Sequence, residues 1–316
     1  MNKLKKVGLT ALAGSLVASA AYAGEMAVGG SWEISYESLD SDESQPGTSR
    51  SPWSMADSIT FTGSGETDQG YGITYYVELD GGTYDDYSLK MDMGDSGTIK
   101  FSGASHGGSG IQAVNNMVPN ANDAAYAWTG DSDTTGSDGV APGATDTGNF
   151  GYDATFGAIG VSAEIAQDDG TEHSWSITYS DLMDGLTVGG GMSEIDTANM
   201  NSGTEGNTLF VKYAMGGLTA AYQISEVDAL GAGETDQDGT HIGASFAVND
   251  SLSVAVGRQT VEFTGAVEDE KNTALTASYT MGSMTVKGYS AKTENANGAA
   301  GAADDTESGF SVGFAF

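Results

Sequence analysis

The stretch Phe156-Gly157-Ala158-Ile159-Gly160-Val161-Ser162-Ala163-Glu164-Ile165 decides the fold. Ile159, Val161, Ala163 and Ile165 are apolar, and the residues between them, Gly160, Ser162 and Glu164, are small or polar. Period-two alternation marks a strand with one face in an apolar medium and the other in a polar one. The Gly157-Ala158 step, with Phe156 just upstream, has the shape of a tight hairpin turn, because glycine tolerates the positive φ such turns need.

The pattern repeats outward in both directions. Ile73, Tyr75, Val77 and Leu79 alternate with Thr74, Tyr76 and Glu78; Trp175, Ile177 and Tyr179 alternate with Ser176 and Thr178; Leu209, Val211 and Tyr213 alternate with Phe210 and Lys212. Short turns recur at 93–96, 183–186, 215–218, 248–251 and 281–284. The connections at the other end are longer, polar and acidic: 39–54, 195–205, 228–238, 264–271 and 293–306. The alternation predicts 16 strands: 26–38, 55–64, 70–80, 85–93, 96–103, 149–156, 158–167, 172–181, 185–194, 206–215, 217–227, 239–248, 250–263, 271–281, 283–292 and 307–316. Trp32, Ile34 and Tyr36 at one end and Phe310, Val312, Phe314 and Phe316 at the other must pair for the sheet to close.

Composition removes whole classes of function. The 316 residues contain no cysteine and three histidines, against disulfide frameworks, thiolate zinc sites and His-rich metal centres. Lys and Arg number 11 against 44 acids, a net charge of −33, which excludes binding nucleic acid through its phosphates. Lys3, Lys5 and Lys6, the apolar run 7–20 and the small-x-small step Ala21-Tyr22-Ala23 read as a signal peptide over 1–23, removed on export. The run is too short for a transmembrane helix. Removing it leaves eight bases against 44 acids, near −36.

Two all-β architectures fit. A soluble secreted β-sandwich would bury the apolar face in a core, whereas an outer-membrane barrel turns it to lipid and keeps the polar face around water. The alternate positions are mostly Ser, Thr, Gly, Glu, Asp and Lys, which pack no core. Turn lengths alternate short and long, and the chain ends inside a strand. The expectation is an all-β, 16-stranded antiparallel transmembrane barrel over 24–316, with short periplasmic turns and long extracellular loops.

The signal sequence, the hairpin series and the terminal Gly309-Phe310-Ser311-Val312-Gly313-Phe314-Ala315-Phe316 together resemble Gram-negative general diffusion porins, most of all the 16-stranded alphaproteobacterial type. The resemblance implies a homotrimer in outer-membrane lipid. It also implies that Phe316 ends a signal read by the outer-membrane assembly machinery. The longest connection, 104–148, takes the place of the family's third loop, which folds into the barrel and constricts the pore. One feature departs from the family: it has an arginine cluster facing that loop, and here the only arginines are Arg50 and Arg258.

Strand parity assigns the pore lining. If apolar residues face lipid, the interior carries the acids Glu33, Glu37, Glu78, Asp92, Asp153 and Glu164 and the bases Lys90, Lys100, Lys212 and Lys287. Lysine facing lipid at mid-membrane costs about 2–4 kcal/mol, which supports that parity. Arg258 shares the parity of Val254 and Val256 but not of Val261 and Phe263, which calls for a bulge near Gly257 or a position above the membrane. The lysines read either as solvated wall residues or as one side of a transverse field whose other side is the loop acids Asp123, Asp131, Asp133 and Asp138.

Three motifs are set aside. Gly103-Ala104-Ser105-His106-Gly107 fits G-x-S-x-G but runs on into Gly108-Ser109-Gly110, with no helix to follow. Asp131-Ser132-Asp133 opens like a calcium loop, yet the twelfth position is Pro142 where a bidentate Glu is needed, so Asp131 and Asp133 suggest at most a weak Ca²⁺ site. The glycine-aspartate repeats lack a nine-residue period. The expected function is passive diffusion of ions and small hydrophilic solutes, with no catalysis and no required cofactor. Acid excess points to cations, and size is limited at 104–148. The alternatives are a non-conducting barrel whose acidic loops bind Ca²⁺ or surfaces, and the soluble sandwich.

Overall fold

The computed structural model describes residues 24–41, 52–103, 108–120, 149–166, 171–196, 204–229, 236–300 and 304–316. The signal segment 1–23, the loop acids Asp123, Asp131, Asp133 and Asp138, and residues 104–107 of the G-x-S-x-G stretch lie outside the described residues.

Sixteen strands form one sheet. They are β1 (Met26–Ser41), β2 (Trp53–Glu66), β3 (Gly72–Asp80), β4 (Thr83–Asp92), β5 (Thr98–Ser102) and β6 (Asn149–Phe156). Next come β7 (Ile159–Ala166), β8 (Thr171–Tyr179), β9 (Leu186–Asp196), β10 (Thr204–Met215) and β11 (Leu218–Ala229). The last five are β12 (Gln237–Ala247), β13 (Leu252–Phe263), β14 (Glu270–Met281), β15 (Met284–Glu294) and β16 (Asp305–Ala315). Each pairs antiparallel with its sequence neighbours, and β1 pairs with β16 from Ser31↔Ala315 to Ser41↔Asp305, so the sheet is a closed barrel. Closure leaves no strand edge, and it excludes the soluble sandwich, which needs two open sheets face to face.

The two faces differ as the alternation predicts. On β8, Trp175 and Ile177 are exposed while Ser174 and Ser176 between them are buried; on β10, Leu209 and Val211 are exposed while Thr208 and Phe210 are buried. The large apolar side chains thus point outward. Aromatics cluster there where the ring closes: Trp32 stacks on Phe314 at 4.9 Å, and Tyr36 lies 5.0 Å from Trp53 and 5.8 Å from Phe310.

Most turns follow the expected asymmetry, and the clearest departure is between β3 and β4. β3 and β4 are joined at the long-loop end by Gly81 and Gly82 alone, with φ of 55° and 82°. Both central residues of this tight turn are left-handed, a conformation open to glycine and strained for other residues.

Neighbours on opposite faces of one strand should respond differently to charge. Ile177→Lys faces outward and should destabilise the lipid-embedded barrel by about 2–4 kcal/mol, whereas inward Thr178→Lys should cost under about 1 kcal/mol. Denaturant titration of folding into lipid vesicles checks both.

Candidate pore lining and constriction

After β5 the chain turns into the barrel. Gly108–Asn120 touches strands from β6 to β14, always on the face opposite the large apolar side chains. Eight strand spacings of about 4.8 Å make roughly 38 Å around the ring. The segment contains a 3-10 turn, Gly110–Val114, and reaches at most about 36 Å even with its other residues extended. A path over the outside, at larger radius, is too long. The segment crosses the interior.

Hydrogen bonds fix it along the wall. Ser109 Oγ donates to Asp153 Oδ2 of β6 at 2.9 Å. Gly110 N donates to Ser162 Oγ of β7 at 2.7 Å, Ile111 N to Ser174 Oγ of β8 at 3.1 Å, and Ser176 Oγ returns a bond to Gly110 O at 2.6 Å. On β11, Gln223 Nε2 donates to Val114 O (2.9 Å), Asn115 O (3.0 Å) and Thr208 Oγ1 (2.8 Å), and Gln223 Oε1 accepts from Met117 N at 3.0 Å. Asn120 ends the crossing on β14, donating to Ala274 O at 3.0 Å and accepting from Thr276 at 3.1 Å.

Apolar contacts close the gaps. Ile111 and Val114 pack with inward-facing Phe210, with Met117 against them, and Val118 packs on Ala221. Small wall residues make room for the backbone. A Cβ on Gly110 would lie 1.8 Å from Ser174 Oγ, and one on Gly243 would lie 2.1 Å from Pro119 O, so neither site admits a side chain without displacing the segment. Beyond Gln223 a buried inward row continues through His241 and Gln259 to Asn272. Among the described residues neither ring nitrogen of His241 has a hydrogen-bond partner.

The ladder puts Glu33, Glu78, Lys90, Asp92, Lys100, Asp153, Glu164, Lys212 and Lys287, and Glu37 with them, on this interior face. It does not gather the lysines on one wall. Lys90 and Lys100 are directly opposed on β4 and β5, Lys212 is five strands further on, and Lys287 sits on β15. Lys100 is buried, with Asp153 Oδ2 at 3.4 Å, and Glu164 lies in the same row across side-chain-free Gly151. Opposed lysines repel, and this carboxylate pair offsets the repulsion. Elsewhere Tyr76 Oη donates to Glu78 Oε2 at 2.8 Å, Ser58 donates to the same carboxylate, and Tyr289 donates to Glu307.

Some inward positions carry apolar residues: Phe210, which shares the parity of Lys212, and Val261 are 5% and 0% exposed. Arg258 lies opposite Ile242 and Thr273 in unbroken register, so there is no bulge at Gly257, and its side chain is on the outer face. The mismatch belongs to Val261. Ile111 and Val114 carry no signal as anchors in the sequence, because an isolated Ile-x-x-Val has no period; Met117 and Val118 pack beside them against Phe210 and Ala221.

Comparison with known proteins gives one family and one fold. The family described as Gram-negative porin matches residues 8–316. No curated protein matches the chain in sequence. Among solved structures, OmpF of Salmonella typhi in complex with daunomycin superposes with a TM-score of 0.66 at 14% identity, covering 93% of this chain and 98% of that one. A porin refined at 1.8 Å gives 0.65 at 17% identity over 92% of this chain and 100% of that one. The trimer form of OmpT of Vibrio cholerae gives 0.61 at 12% identity over 93% and 100%. A match over nearly the whole sequence, on a closed 16-stranded ring, places this chain in the Gram-negative porin family.

Proposed function

We propose that this barrel passes ions and small hydrophilic solutes across the bacterial outer membrane by passive diffusion, with size limited by the connection 104–148. The observation that carries the reading is the crossing of the interior by Gly108–Asn120, fixed on β6, β7, β8, β11 and β14. A loop tied to the wall by backbone hydrogen bonds narrows a lumen without needing to move. The charged residues named on the interior face, Glu37 among them, are its lining, and acids outnumber bases there by six to four. Lys100 is further offset by Asp153. Field lines in a water channel with low-dielectric walls concentrate counter-ions, which favours cations.

The expected signal peptide 1–23, recognition of the Phe316 strand by the assembly machinery, and a homotrimer belong to the same proposal. OmpT of Vibrio cholerae has been solved as a trimer. The aromatic outer patch of β1, β2 and β16, with Asp57 in register with Trp32 on that face, suits contact with a second copy better than lipid. A weak Ca²⁺ site at Asp131 and Asp133, and Asp123 and Asp138 as acids of the constricting loop, are part of the proposal too.

Planar-bilayer recording tests the conducting reading: ohmic steps in threes, with a reversal potential of cation-selective sign in a KCl gradient. Folded protein without conductance would favour the non-conducting barrel. Lys100→Glu with Lys212→Glu should raise the cation-to-anion permeability ratio about two- to threefold, a change of order 0.5 kcal/mol in local potential, with Lys212, the less buried of the two, giving the larger share. Unchanged selectivity would place both away from the narrowest point. Gln223→Ala strips the segment of its β11 anchor and leaves buried backbone groups unpaired, each costing about 1–3 kcal/mol; larger, noisier conductance from a barrel that still folds is expected.

A further inference from the structure

The outer surface carries a site that the channel does not use. Between β10 and β13 the lipid-facing side sinks into a depression of about 650 Å³. Ala220 and Ala244 form its floor, opposite one another in the ladder, with Tyr213, Tyr222 and Val256 on its flanks. At its edge, one outward position beyond Val256 toward the long-loop end, is Arg258.

Arg258 is exposed and outward, and among the described residues it has neither a hydrogen bond nor an ion pair. Its row mate two strands on, Lys292, is held by Glu294 at 2.6 Å and Asp304 at 2.8 Å. The register puts Thr240 and Thr260 just above Arg258 and the acids Asp238 and Glu262 one outward position higher. The guanidinium therefore stands where the apolar band gives way to the acidic rim, at the height of lipid headgroups, with no acid attached. A planar guanidinium matches a phosphate through two parallel hydrogen bonds. An apolar trough floored by alanine fits an acyl chain, and the polar side chains of its lining, Tyr213, Tyr222, Thr273 and Arg258, stand at its flanks and edge.

We propose that this depression docks one anionic lipid of the outer leaflet, its phosphate on Arg258 and an acyl chain over Ala220 and Ala244. Charge complementarity carries the assignment: the site supplies one unpaired cation above a hydrocarbon-lined trough, and a phosphorylated lipid supplies the complement in the same order.

The test uses the full-length protein in detergent, titrated with diphosphoryl lipid A and separately with the same lipid after enzymatic dephosphorylation, with bound lipid counted by native mass spectrometry. The expected result is a retained adduct that prefers the phosphorylated lipid and weakens about tenfold in Arg258→Gln, the loss of a charged hydrogen-bonded contact. Ala244→Leu, which fills the trough and leaves Arg258 in place, should weaken both lipids alike. Heat-modifiable migration on gels confirms that each variant is folded. Equal binding by wild-type protein and Arg258→Gln, or no preference for phosphate, overturns the proposal. So does an oligomer that dissociates in Arg258→Gln while its lipid count stays the same, because the face then seats a second copy.

Discussion

A backbone amide inside hydrocarbon has no water to turn to, and each unpaired one costs several kcal/mol. A strand-built chain can meet that demand only by joining its first strand to its last. Here the joint is the β1–β16 ladder, and the rest of the molecule depends on it. With the ring closed, each strand has one face in lipid and one in a water-filled interior, so a single alternation along the chain sets solubility in the membrane and the chemistry of the lumen together. The aromatic patch of Trp32, Tyr36, Trp53, Phe310 and Phe314 lies over this joint, adding packing where the two chain ends meet.

The second constraint is inside. A ring of sixteen strands is too wide for its own side chains to fill, and the structure divides the space by laying Gly108–Asn120 across it. The wall is cut to receive the segment: Ser162, Ser174 and Ser176 offer short hydroxyls, Gly243 offers no side chain, and Gln223 reaches out to hold the backbone at Val114, Asn115 and Met117. The buried polar row Gln223–His241–Gln259–Asn272 lies on the same wall. In that row Gln223 bonds the segment and Asn272 bonds Gln259, Glu270 and Thr293, while the ring nitrogens of His241 have no partner among the described residues.

How legible this was depends on the range of each interaction. Strand number, ring closure and outward apolar residues follow from a local alternation, and the ladder places Glu33, Glu78, Lys90, Asp92, Lys100, Asp153, Glu164, Lys212 and Lys287 on the face that alternation gives them. Phe210, on the same face as Lys212, shows that the interior is not all water: an apolar side chain facing it is stable where Ile111 and Val114 of the crossing segment cover it. Val261 faces inward between Gly239 and Glu270 and is fully buried. The route of that segment was not legible, since Met117 bonds to Gln223 across more than a hundred residues and nothing near either one announces the other. A field with every lysine on one wall was read from charge type alone; the angular position of each strand, which only the closed ring supplies, separates Lys212 and Lys287 from Lys90 and Lys100.

The central claim is that one face of the sheet lines a conducting pore and the other meets lipid. The chain has no cysteine, so single cysteines can report on each face without background. Adjacent residues on β10 make the comparison: Lys212→Cys inward, just beyond Phe210, and Val211→Cys outward. In a planar bilayer, a charged, membrane-impermeant methanethiosulfonate reagent should step down the current through Lys212→Cys channels and leave Val211→Cys channels unchanged. Equal effects at both positions, or a block only at Val211→Cys, would contradict the account.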